Sequence, residues 1–119
     1  MTPLAVERYR SDGYEVLAVE GEIDIATAPR MIAALNEVLA EIESPLVVDL
    51  SSVVFMDSTG LALMMNARRR VTRRGQGFAI VCPPGPIARV FEIADMMETL
   101  RIFPDRESAG LAATQTARA

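Results

Sequence analysis

Leu46-Val47-Val48-Asp49-Leu50-Ser51-Ser52-Val53-Val54-Phe55-Met56-Asp57-Ser58-Thr59-Gly60 runs straight into the apolar segment Leu61 to Met65. Leu46 to Ser51 is short, β-branched and apolar on consecutive positions, the pattern of a strand covered on both faces. It is read as the central strand. Asp57-Ser58-Thr59-Gly60 then places three cap-forming side chains before a helical pattern of Leu61, Met64, Met65 and Val71. A strand thus passes through a short connector to a helix start that displays a hydroxyl. Unpaired N–H groups and the positive dipole end favour an added phosphate there, whereas the Asp57 carboxylate would repel one on Ser58. Ser, Thr and Asp in this place serve most often as plain caps, so local spacing alone leaves both roles open.

Upstream, Leu4 to Arg10 and Tyr14 to Glu20 flank Ser11-Asp12-Gly13, which suits a tight turn with positive φ at Gly13. They form a predicted antiparallel hairpin, and imperfect alternation places the first strand at an edge. Gly21-Glu22-Ile23-Asp24 follows, with Asp24 read locally as a turn residue. Thr27-Ala28-Pro29 gives a hydroxyl cap and a first-turn proline. Ile32, Leu35, Val38, Leu39 and Ile42 then recur at helical spacing until Ser44-Pro45.

Downstream, the second helix ends around Gly75-Gln76-Gly77. Phe78 to Val81 reads as a strand closed by Cys82-Pro83-Pro84-Gly85, and a third helix opens at Pro86 with Ile87, Val90, Phe91 and Ala94 on one face. Leu100 to Phe103 reads as a last edge strand. A final helix, capped by Asp105 and carrying Leu111, frays over Thr114 to Ala119. Strands alternating with helices after a hairpin predict an α/β fold: a compact mixed sheet of four or five strands with about four packed helices, not all on one face.

With 119 residues the chain is expected to form one domain over 1–119. Its composition, 50% hydrophobic and 24% charged, is that of an ordinary globular protein. No apolar stretch is long enough to span a bilayer and the N-terminus lacks a signal-peptide layout, so a cytoplasmic protein without membrane insertion is expected. The chain has no histidine and no lysine, which excludes Ser-His-Asp and Cys-His catalysis, P-loop lysines and Schiff-base lysines. The lone Cys82 excludes an internal disulfide and is read as a buried, inert thiol; no metal or cofactor is expected. A net charge of −4 argues against nucleic acid, even though Arg68, Arg69, Arg70, Arg73 and Arg74 lie close together. The helix C-terminal dipole accounts for most of that cluster, and an acidic protein partner is the remaining reading.

Gly21-Glu22-Ile23-Asp24, Val47-Val48-Asp49-Leu50-Ser51, Phe55-Met56-Asp57-Ser58-Thr59-Gly60-Leu61, Gly75 to Cys82 and Arg89-Val90-Phe91 together resemble the STAS domains, and within them the bacterial anti-sigma factor antagonists. The resemblance implies that Ser58 is phosphorylated by an anti-sigma factor that is also a serine kinase. It implies that the unmodified protein binds this factor and frees the sigma factor, and that a metal-dependent serine phosphatase resets the switch. It brings Asp24 near the acceptor and makes Asp24, Asp57, Ser58, Thr59 and Gly60 the expected partner contacts. Thr59 stands where many members have a second serine, and Asp95-Met96 where a glycine is frequent. The protein is then a substrate and a binder, not an enzyme. A STAS subunit of a sensory or lipid-transport assembly, with no serine switch, is the alternative on the same fold. Phosphotransfer through Asp57 or Asp49 is disfavoured by the missing lysine.

Overall fold

The Asp12-Gly13 turn has positive φ at both residues, 51° and 89°, the geometry that lets two right-twisted strands meet through a two-residue loop. It joins β1 (Ala5–Ser11) to β2 (Tyr14–Ile23) as the expected antiparallel hairpin, with Ser11 opposite Tyr14. The computed structural model describes residues 3–116. After the hairpin come α1 (Ala28–Glu41), β3 (Leu46–Met56), α2 (Ser58–Arg73), β4 (Phe78–Val81), α3 (Pro86–Ile93), β5 (Ile102–Phe103) and α4 (Arg106–Thr116). The strands form one mixed sheet in the order β1-β2-β3-β4-β5, parallel from β2 onward, with β3 at its centre and β1 at an edge as expected. β5 is shorter than the predicted Leu100 to Phe103. The expected fraying partly concerns residues 117–119, which lie outside the described residues; α4 itself runs to Thr116.

Both faces of the sheet are covered, and unequally. Leu46, Val48 and Leu50 of β3 join a large cluster with Met31, Leu35, Val38 and Leu39 of α1, Met64, Ala67 and Val71 of α2, and Phe91 of α3. Val47 points the other way, into a smaller cluster with Tyr14, Val16, Ala79, Val81 and Ala109 and Ala113 of α4. Successive parallel strands that step in one direction, each crossing over the same face, are what right-handed connections produce. α4 follows the last strand and is free to take the opposite side.

Four local expectations shift. The buried stripe of α1 keeps Leu35, Val38, Leu39 and Ile42 as predicted, but Met31 takes its first place and Ile32 is 43% exposed. Leu111 is 61% exposed rather than packed. Thr27 stands at the N-cap position of α1 without a side-chain cap bond, because its hydroxyl donates to the Glu22 carbonyl. The central strand does not stop at Ser51. It continues to Met56, since Val53 and Met56 reach the core again. Asp105 caps α4 as predicted, accepting from Ser108 N–H at 2.7 Å, and these bonds hold its carboxyl below the usual range. Among the described residues, no helix is long and apolar enough to cross a membrane.

Candidate functional site

Parallel pairing brings the carboxyl ends of β2 and β3 to the same edge of the sheet. Ile23 pairs with Met56, and the Asp57 N–H donates to the Ile23 carbonyl at 3.3 Å. Asp24 and Asp57 are therefore the first residues beyond the ends of two neighbouring strands. Each carboxylate is used by its own loop. Asp24 Oδ1 accepts from Ala26 N–H at 2.9 Å and Thr27 N–H at 3.0 Å, which makes Asp24 the capping group that Thr27 was expected to be. Thr27 Oγ1 fastens the loop back to the Glu22 carbonyl at 2.8 Å.

Asp57 is the N-cap of α2. Its backbone is extended, its Oδ1 accepts from Thr59 N–H at 2.9 Å, and its carbonyl accepts from Gly60 N–H at 3.0 Å. Two of the first-turn N–H groups expected to be open to a phosphate, those of Thr59 and Gly60, are therefore already engaged by Asp57. A phosphate on Ser58 would meet that carboxylate with fewer donors to offset the repulsion.

Ser58 is the first residue of α2 and is exposed; among the described residues no hydrogen bond engages its Oγ. Thr59 is half-buried. Gly60 is buried, and a Cβ there would lie 2.3 Å from Met56 Cγ and 3.2 Å from Ile23 Cγ2. It contributes by letting the start of α2 sit directly on the ends of β2 and β3, without offering a surface itself.

Three apolar residues at this end were not singled out from sequence. Ile25 is 81% exposed, Val54 63% and Phe55 48%. The cause is a break in register: Gly21 pairs with Val53 but Glu22 pairs with Phe55, so Val54 is an extra residue that re-aims the strand end. Asp49 lies elsewhere on β3, its carboxylate accepting from Ser51 N–H at 2.9 Å and Ser51 Oγ at 2.6 Å.

Cys82 is buried, and burial, followed by the Asp49 and Glu92 carboxylates, pushes its thiol from 9.0 up to about 11. Because burial raises the pKa, the thiolate is scarce near neutral pH. Native-state alkylation is expected to run about 100-fold slower than for an unperturbed thiol, each pKa unit counting tenfold. Timed iodoacetamide labelling at pH 8, with and without denaturant, checks it; a native rate equal to the denatured one would show that the thiol is open.

The sequence model described as STAS domain matches residues 5–109. The anti-sigma-F factor antagonist RsfB of Mycobacterium tuberculosis is 32% identical over 92 residues, covering 77% of this chain and 75% of that protein. The anti-sigma-B factor antagonist of Staphylococcus aureus is 26% identical over 99 residues, covering 83% of this chain and 92% of that one. The crystal structure of an anti-sigma factor antagonist from Mycobacterium paratuberculosis is similar with a TM-score of 0.86 and 29% identity, over 92% of this chain and 93% of that one.

Proposed function

Because the chain belongs to the STAS domain family, we propose that it is an anti-sigma factor antagonist, acting in the cytoplasm, whose hold on an anti-sigma factor is released when Ser58 is phosphorylated. The anti-sigma factor is itself the serine kinase, and a serine phosphatase restores the binding form. The protein performs no chemistry of its own in this cycle.

The observation that carries this reading is the placement of Ser58. Its hydroxyl is exposed at the first position of α2, unengaged among the described residues, and follows Asp57 directly, while the exposed apolar Ile25 and Phe55 stand at the ends of β2 and β3, where α2 starts. A partner that covers this surface dehydrates whatever Ser58 carries. An uncharged hydroxyl costs little to cover, whereas a phosphate brings about −1.5 to −2 charges to a place where carboxylates already stand. Asp24, Asp57, Ser58 and Thr59 form the polar part of the contact, and Gly60 fixes their spacing from beneath.

Incubation with the anti-sigma factor kinase and ATP, followed by peptide mass spectrometry, tests it. A single phosphate on Ser58 that disappears in Ser58→Ala is the expected result. Phosphate on Thr59 with Ser58 unmodified, or no phosphate in a complex that demonstrably forms, would overturn the assignment.

A further inference from the structure

The second half of α2 carries Arg68, Arg69, Arg70 and Arg73, with Arg74 at its C-cap. Among the described residues none of the five forms an ion pair; only Arg70 makes a side-chain hydrogen bond, to Asn36 Oδ1 at 2.8 Å. The Arg68 Nε is buried without a partner. The helix dipole accounts for the cations of the last turn and not for what lies beside them. Met65, Arg68 and Arg69 stand at i, i+3 and i+4 and so share one face of α2. Across a groove of about 240 Å³ that face meets Met96 and Leu100, from the segment after α3. That segment is bracketed by two non-glycine residues in left-handed conformation, Asp95 at φ 57° and Arg101 at φ 56°. Such conformations persist where the surrounding structure holds them.

We propose that this groove is the docking site of an acidic amphipathic helix from another protein. Its apolar side chains lie between Met65 and Met96, above the buried Leu100, and its flanking carboxylates pair with Arg68 and Arg69. Three features select this occupant. The groove joins an adaptable methionine surface to unpaired guanidinium groups, which is the complement of an apolar stripe edged with acid. Its long side follows α2, as a helix laid in a groove requires. An extended polyanion is disfavoured, since Asp95 and Glu98 line the adjoining cavity and the chain has a net charge of −4. Arg69 is eleven residues along α2 from Ser58, about 16 Å at the helical rise. The groove is therefore a surface separate from the Ser58 edge, and its occupancy does not depend on the state of that serine.

Methionine-methyl NMR tests the proposal on the whole protein, because Met65 and Met96 line the groove while Met31 and Met64 are fully buried references. The probe is a stapled helical peptide with leucines along one face and glutamates beside them, compared with a counterpart carrying glutamine at every glutamate. The Met65 and Met96 methyls are expected to shift with the acidic peptide. Both the glutamine counterpart and the Arg69→Glu protein, changed at an exposed position, should bind at least about tenfold more weakly. Equal affinity for the two peptides, no movement of Met65 and Met96, or a response to phosphatidylglycerol vesicles without one to the peptide would each overturn it, the last by assigning the groove to a membrane surface.

Discussion

Ser58→Asp is expected to weaken binding to the anti-sigma factor by roughly a hundredfold or more, while Ser58→Ala binds within a few-fold of the wild type and neither melting temperature moves by more than about 2 °C. The fold is indifferent to this position because Ser58 is exposed at the first residue of α2 and nothing in the described structure bonds its Oγ. A carboxylate there gains a few tenths of a kcal/mol from the helix dipole and loses a similar amount to Asp57, so the two nearly cancel. Binding has no such cancellation. A partner that covers Ile25 and Phe55 together with residue 58 strips water from it, and among the described residues no cation is bonded there to compensate. A penalty of about 3 to 4 kcal/mol corresponds to several hundredfold in affinity. The true phosphate, with nearly twice the charge, should weaken binding further than aspartate does. Calorimetric titration of the three proteins against the anti-sigma factor separates the outcomes. Aspartate binding as tightly as serine would end the switch account while leaving the family assignment intact.

How much of this edge could be read in advance differs from residue to residue. Phe78 to Val81 and the start at Pro86 were legible to the residue, because glycines and prolines punctuate both ends and four consecutive apolar positions leave a single reading. The sequence reading ends the central strand at Ser51, where the consecutive apolar run gives way to two serines. In the structure Ser51 satisfies Asp49 and the strand runs on, held by Val53 and Met56, whose burial depends on tertiary contacts that local propensity does not contain. Asp24 was correctly a turn residue on local grounds. Its position beside Asp57 is a property of the parallel pairing of β2 with β3, and entered the sequence reading only through the resemblance. Asp95 shows the converse: the resemblance marked a place where glycine is frequent, and the backbone there is left-handed at φ 57°. The apolar Val54 and Phe55 stayed hidden because a one-residue slip of register reverses which face a strand residue takes.

Gly77→Ala should be the most damaging single methyl in the chain, costing about 3 to 4 kcal/mol, beyond the usual 1 to 3 for overpacking, because the obstacle is backbone. A Cβ on Gly77 would lie 1.7 Å from the Ala113 carbonyl oxygen and 2.7 Å from its carbon. No rotamer change relieves that contact, and Gly77 cannot retreat, since its own carbonyl accepts the Leu46 N–H at 3.0 Å and sets the start of β4 against β3. α4 must lift instead. It packs through small residues, Ala109 and Ala113, against Tyr14, Val16, Val47, Ala79 and Val81, so even a modest rise opens contacts along that whole face of the sheet. Gly75→Ala, two residues earlier, is the matched control. Gly75 has φ 75° and nothing within 4 Å of a Cβ, so it should lose only about 1 kcal/mol, the cost of a left-handed alanine. Urea unfolding of both variants measures the difference directly. A Gly77→Ala midpoint no lower than that of Gly75→Ala would mean that α4 does not lie against the sheet at this distance, and the smaller of the two cores would have to be redrawn.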